Sequence, residues 1–402
     1  MKLKNKKILI LGGGDEQVAA IKKCKELGLY VIVSDKNNHA PGKEFCNKFY
    51  NVSIKDFKKN LYIARKHKIN GILTLCSELA VPTVSKVANK LNLQATSPLT
   101  AILSTNKIQM KNRLLIHGIK TPPFTIANNM VDFFKFKKKY TYPIVLKPST
   151  LFGQVGIKLL KNSINLKKKI QLAKKLSLDK KAIIEKFYKG KEINIVALVQ
   201  NKNIFFLSFS YRESDINKNF GIATEHVFPT KLDNQNLKKL KDMCYKMIEA
   251  LDINNGIIYP QVIFDGSEFY LIEIATRIPG GYMREMAMLA SGIDPIDFLI
   301  FQSLGVKDSV NMCIKSKKHK AVYIKFYTKQ DFKKIKVIKK ITGMEMAKKS
   351  VGIYDVKFNK YKKIPLLKSS HDRFGAILAY GKNIIIAKKN LRTAASKIAF
   401  LS

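Results

Sequence analysis

The chain has 402 residues, 46 % of them hydrophobic and 10 % aromatic, which allows two or three domains with substantial cores and excludes wholesale disorder. Its 74 lysines and arginines against 29 acids give a formal net charge of +45, a figure that invites a nucleic-acid or membrane reading. Only seven of the basic residues are arginine (65, 113, 212, 277, 284, 373 and 392), and the lysines lie along the whole chain, whereas dedicated phosphate-backbone readers concentrate arginine on one element. We therefore read the charge as decoration of every solvated face, with no specific nucleic-acid partner and only weak binding to acidic polymers at low salt.

Lys7 to Leu11 reads as a short buried strand that stops at Gly12-Gly13-Gly14. The run is too short for a signal segment or a membrane span, so no membrane partner is expected. Apolar positions 18, 21, 24 and 27 then mark a helix over 17–27 closed by Gly28, and Tyr30 to Val33 gives a second strand. This βαβ unit implies a parallel sheet with a right-handed crossover. A strand at 51–54, a helix at 56–67, a strand at 71–75 and a helix at 79–91 continue the pattern, so the first ~100 residues form a doubly wound α/β domain. The glycines depart from the dinucleotide fingerprint, because Gln17 stands where its last glycine belongs. Asp35 does sit about 20 residues on, where a ribose-binding acid would be. A dinucleotide site and a tight turn opening a ligand crevice both stay open.

Residues 107–120 read as a basic helix ended near Gly118 and stopped by Thr121-Pro122-Pro123. Two strands follow within 141–160, around a loop from Lys147 to Gly156, then a helix at 163–177 and a strand at 182–185. Further strands are expected at 191–199, 203–210, 257–264 and 268–274, with a helix at 232–252. Short runs at 322–326, 351–358 and 375–380 predict a small closing β-rich subdomain. The five cysteines (24, 46, 76, 244 and 313) contain no CxxC pair, which indicates neither a disulfide framework nor a zinc site and fits a reducing, cytoplasmic setting.

Three segments carry chemistry. Lys147 ends an apolar run and precedes a loop with Gly153 and Gly156, an arrangement suited to cradling phosphate; a hairpin with a solvated lysine is the alternative. Glu185 and Glu192 flank Phe187-Tyr188 and the turn Lys189-Gly190-Lys191, where they could receive an adenine amine and ribose hydroxyls, or simply pair with neighbouring lysines. Gln261 and Glu273 fall on strands joined by Asp265-Gly266-Ser267. Glu273 is set among hydrophobic residues, where an unpaired charge is expensive. Either a divalent cation holding nucleotide phosphates or an internal Glu273–Arg277 salt bridge would offset that cost. Arg277 suits a carboxylate or a transferring phosphoryl group.

In this order the pieces resemble the ATP-grasp superfamily, in particular its members similar to biotin carboxylase, the carbamoyl-phosphate synthase large subunit and the purine-pathway carboxylases. The resemblance spans nearly the whole chain. It rests on Ile8 to Gly14 with Val33-Ser34-Asp35, on Asn106-Lys107 followed by Gly118 to Pro122, and on Tyr142-Pro143-Ile144-Val145-Leu146-Lys147-Pro148. Ile184 to Phe187 through Gly190-Lys191-Glu192, and Ile272 to Arg277 with Pro279-Gly280-Gly281, complete it.

The resemblance implies an N-terminal α/β domain over 1–105, an ATP-grasp domain over 106–305 with a lid lobe at about 110–184 and a metal-binding lobe at about 185–305, and a β-rich subdomain over 306–402. It further implies that Lys107 and Lys147 hold ATP phosphates beneath the 149–156 loop. Glu185, with the backbone of Lys186, Phe187 and Tyr188, would meet adenine, and Glu192 the ribose. Gln261 and Glu273 would stand at the magnesium positions, and Arg277 would orient the acyl phosphate. Two departures bear on the metal: Gln261 is neutral, and Ala275 replaces the usual asparagine, so of one or two expected ions the second lacks an anionic ligand. The loop also lacks the arginine often found there, having Gln154-Val155 between its glycines.

The activity so implied is an ATP-dependent ligase that turns a small carboxylate into an acyl phosphate for attack by an amine or similar nucleophile, with a homodimer as the expected assembly. Such catalysis is mostly positioning and charge neutralisation. Bicarbonate activation and nucleotide binding with weak catalysis are the rival readings. A substrate crevice is expected between Asp35, Ser77 and Glu78 on one side and Arg277, Tyr282 and Arg284 on the other.

Overall fold

A computed structural model describes residues 3–401 except 152, 215–219, 314–319, 333, 334, 336 and 360–362. The chain opens with β1 (Lys7–Leu11), α1 (Asp15–Glu26), β2 (Tyr30–Asp35), β3 (Lys48–Asn51), α2 (Phe57–His67), β4 (Gly71–Leu73) and α3 (Val81–Lys90). The first four strands form a parallel sheet in the order β3-β2-β1-β4. β3 lies three residues earlier than the 51–54 run, whose Ile54 instead packs, partly buried, under the α2 side of the sheet. The triple glycine makes a closed turn. Gly13 N donates to Asp35 Oδ2 at 2.8 Å, and Gly42 N donates to Gly13 O at 2.7 Å, so Asp35 is engaged by the turn itself.

Two helices, α4 (Pro98–Thr105) and α5 (Lys107–Ile116), lead out of this domain, the second capped by Asn106 through the N–H groups of Ile108 and Gln109. Next come β5 (Phe124–Ile126), α6 (Met130–Lys139), β6 (Ile144–Pro148), β7 (Lys158–Leu160), α7 (Leu166–Leu176) and β8 (Ala182–Lys186). They build a four-stranded antiparallel sheet, β5-β8-β6-β7. Phe133, Phe136, Ile170 and Ala173 seat both helices on one face of it.

The third unit contains β9 (Lys191–Gln200), β10 (Asn203–Ser214), β11 (Ala223–Phe228), α8 (Asn234–Ala250), β12 (Asn255–Phe264), β13 (Phe269–Ala275), α9 (Met283–Ser291) and α10 (Pro295–Ser303). After it follow β14 (Ala321–Tyr327), β15 (Lys340–Thr342), α11 (Met344–Lys348), β16 (Ile353–Phe358), β17 (Gly375–Gly381), α12 (Ile384–Ala395) and β18 (Ala399–Leu401). One eight-stranded sheet, β13-β12-β9-β10-β11-β14-β17-β16, runs unbroken through both stretches. The region after 305 therefore adds strands to the main sheet and carries α11 and α12 as well.

Period-two alternation on β9 explains what this sheet does. Ile193, Ile195, Ala197 and Val199 enter the core beneath α8, whereas Val196 and Leu198 enter the core shared with the N-terminal domain. Asn194 and Glu192 continue that second face as polar residues, the first buried and the second lining a cavity of which the sheet forms the floor.

Candidate active site

The cavity, of about 740 Å³, lies between the main sheet, the four-stranded sheet and the N-terminal domain. Two cross-strand rows make its floor. In one, running across β13, β12, β9 and β10, Glu273 and Gln261 line the cavity and their register partners Asn194 and Ser210 are buried beside them. In the other, Glu192, Arg212 and His226 are partners across β9, β10 and β11.

At one end the charges pair with each other. Lys147, only 6 % exposed, donates to Glu185 Oε2 at 2.7 Å, and the fully buried Lys111 stands 3.3 Å from Glu185 Oε1. Burial pushes the Glu185 carboxyl up, but the two ammonium groups outweigh it and hold the group below its ordinary range. Burial pushes Lys111 down to about 8. Lys107 donates to Leu151 O at 2.6 Å and lies 3.3 Å from Glu273 Oε1. Burial opposes its charge, yet Glu273 and Glu78 keep its pKa above the usual value. Glu192 pairs with Arg212, which also donates to Gly221 O, and Phe187 meets Phe220 edge to face at 5.9 Å.

The 149–156 loop arches over this end, with Phe152 outside the described residues. Gly156 has φ +77°, where a residue with a side chain would be strained, and a Cβ there would press on Leu176 Cδ1 at 2.8 Å. Gly153 O accepts from Ser370 N and Ser370 Oγ, both at 3.3 Å, which ties the loop to the C-terminal stretch.

The other end is less self-satisfied. Arg277 donates to Glu78 Oε1 at 2.7 Å and to Ile278 O at 3.3 Å, while its Nε has no partner. The internal Glu273–Arg277 bridge allowed by the sequence is thus replaced by two separate pairs, Glu273 with Lys107 and Arg277 with Glu78. Arg373 donates through Nε to Ala223 O at 3.0 Å and lies 3.8 Å over the Phe326 ring, with no carboxylate partner among the described residues. Burial, then the Arg212 charge, pushes it down to about 9. Asp15 and Glu16, in the first turn of α1, line the same end without a cationic partner among the described residues. Tyr282 OH donates to Asp355 Oδ2 at 2.6 Å.

Most of the residues singled out from the sequence meet in this cavity. Lys147, Gly153, Glu185, Lys186, Phe187, Tyr188, Glu192, Gln261, Glu273 and Arg277 all line it, while Gly156 does not and Lys107 reaches it only through its contact with Glu273. The expected crevice needs correcting at three positions, since Glu78, Arg277 and Tyr282 line the cavity but Asp35, Ser77 and Arg284 do not. Arg284 is turned away by a bidentate pair with Asp294, at 2.9 and 2.6 Å. Sequence reasoning missed Lys111, Arg212, His226 and Arg373. Arginine's rarity was a usable signal for two of them, whereas nothing marks Lys111 among 67 lysines.

For a metal, the protein offers Glu273 and Gln261 side by side, hard oxygen donors of the kind magnesium takes. Among the described residues no group of three or more His, Cys, Asp and Glu is placed to hold an ion, so ligand oxygens would have to complete the shell. Among the same residues no helix is long and apolar enough to cross a membrane, and all five cysteines are free.

Residues 119–296 match the family model described as the D-ala D-ala ligase C-terminus. The carbamoyl phosphate synthase large chain, C-terminal section, of Aquifex aeolicus is 20 % identical over 292 residues, which is 68 % of this chain and 53 % of that protein. The chain thus spans about half the length of that relative. Among solved structures, L-amino acid ligase from Bacillus licheniformis superposes with a TM-score of 0.80 at 19 % identity, covering 99 % of each chain. Phosphoribosylglycinamide synthetase from Anaerococcus prevotii gives 0.78 at 21 % identity, covering 99 % of this chain and 100 % of the other. At these identities the likeness is one of fold.

Proposed function

From the premise that residues 119–296 are an ATP-grasp domain of the D-ala D-ala ligase C-terminal family, we propose that this protein is an ADP-forming ligase that activates a small carboxylate for attack by an amine. One observation carries the reading: the Lys147–Glu185–Lys111 and Lys107–Glu273 pairings open onto the same cavity as Arg277. Buried lysines held in pairs are preorganised to exchange a carboxylate for phosphate oxygens without a large rearrangement.

In this reading Lys107 and Lys147 bind the phosphates under the 149–156 loop, the 186–188 segment takes the base, and Glu192 takes the ribose. Glu273 and Gln261 hold one magnesium ion, which neutralises phosphate charge when bound. Lys107 would then shift its contact from Glu273 to nucleotide. Arg277, steadied by Glu78, orients the carboxylate or its acyl phosphate. Domain limits near 105 and 305, a homodimer and a cytoplasmic location belong to the same proposal; light scattering tests the dimer. The neutral Gln261 and the missing donor at Ala275 favour a second reading, nucleotide binding without turnover.

Thermal unfolding with Mg-ATP, followed by ADP release with bicarbonate or the protein amino acids as candidate acids, separates these readings. A nucleotide-induced shift plus ADP release that depends on one added acid supports the ligase. A shift without release under any acid leaves the binding-only reading. No shift removes both.

A further inference from the structure

His226 projects from β11 onto the cavity floor and is 4 % exposed. Its ring packs edge-on against Phe326, with centroids 5.8 Å apart. Its Nδ1 lies 3.5 Å from the Asn194 side-chain amide, and Asn194, 1 % exposed, has an Oδ1 with no hydrogen-bond partner. Turning that amide over places the orphaned oxygen on a protonated Nδ1, and the Nε2 lone pair is then left facing the cavity. Nε2 has no protein partner among the described residues.

Resting on the ligase reading above, we infer that His226 is the general base that accepts the proton of the incoming amine. The charged and titratable groups around the ring are Arg212 from β10 with its partner Glu192, Arg373 from the loop before β17, and Tyr259 from β12. Burial, then Arg373, then Arg212 lower the imidazole pKa well below its usual value, so the ring is neutral across the physiological range.

The step balances. The ammonium group of the incoming amine gives one proton to Nε2 and so exposes the lone pair that attacks; the nitrogen bonds to the acyl carbon, the carbon–oxygen bond to phosphate breaks, and the nitrogen's second proton leaves with the departing phosphate as hydrogen phosphate. Protonated between two guanidinium groups, the imidazole returns that proton readily to water or to the departing phosphate. Asn194 is a positioning residue that holds Nδ1.

A nucleophile that is already unprotonated near neutral pH does not need this base, and hydroxylamine is one. The test supplies Mg-ATP and the protein amino acids, which carry both a carboxylate and a protonated amine, with and without hydroxylamine. It measures hydroxamate and amide separately in wild type, His226→Ala and His226→Gln. Both variants are expected to lose about 10²–10⁴-fold in amide formation, to keep hydroxamate formation within about twofold, and to keep the Mg-ATP thermal shift. Added imidazole should restore part of the amide yield to His226→Ala. Loss of both products in parallel, or of neither, overturns the assignment to His226. Absence of hydroxamate from wild type overturns the ligase reading itself, and a retained nucleotide shift would identify that failure.

Discussion

The two ends of the cavity treat charge in opposite ways. At the lysine end every buried charge has a protein partner: Lys147 and Lys111 share Glu185, Lys107 leans on Glu273, and Arg212 on Glu192. At the other end the half-buried Arg373 lines the wall with no counter-charge among the described residues, in company with the exposed Asp15 and Glu16. A paired buried charge holds the fold together and waits to be exchanged, whereas an unpaired one costs stability until a ligand arrives. The first arrangement suits a co-substrate of fixed shape, the second a pocket tuned to one substrate.

Substitutions should break this contrast in predictable directions. Glu185→Leu has the largest expected effect, because it strands two buried ammonium groups; we expect a loss of about 3–5 kcal/mol in urea unfolding at neutral pH. Glu185 titrates below its ordinary 4.5 in the folded chain, so its contribution is present above that pH and is lost as pH falls through the folded value. The gap between wild type and variant should therefore narrow in acid. Next, Arg277→Ala should lower acid-dependent ADP release by about 10²–10³-fold and leave the Mg-ATP thermal shift nearly intact; loss of both would place Arg277 in nucleotide binding instead. Lys147→Ala should erase that shift, worth about 2.7 kcal/mol at 100 times the dissociation constant. The smallest effect is of opposite sign. Arg373→Met should raise the stability of the free protein by about 1 kcal/mol while impairing acid-dependent turnover, and a destabilised variant would show that the guanidinium is structurally satisfied.

The contrast also explains what could be read from the chain. The lysine end is local: Tyr142 to Pro148 and Ile272 to Arg277 each lie on one strand with its flanking turn, and Ile184 to Glu192 joins two consecutive strands, so periodicity and motif order place them. The other end is assembled from α1, the 76–78 turn, residues 277–285, β11 and the segment around Arg373, which lie up to about 360 residues apart and share no spacing rule. Asp35, Ser77 and Arg284 were misjudged for the same reason. Asp35 is claimed by the Gly13 turn and Arg284 by the Asp294 pair, while Ser77 stands beside Glu78 in sequence but does not line the cavity. Lys111 was invisible because only its burial distinguishes it. The join between the C-terminal strands and the main sheet was equally hidden, since edge-to-edge pairing of β11 with β14 leaves no mark on either strand alone.

That last pairing has a consequence for how the protein is made. Until residues 321–327 have left the ribosome, β11 presents a bare row of backbone donors and acceptors, and until Gly375–Gly381 arrives, β14 does the same. Chains stalled or cut near residue 305 would carry the whole lysine end yet expose a sticky margin beside the site. They should collect as aggregates rather than as a smaller working enzyme.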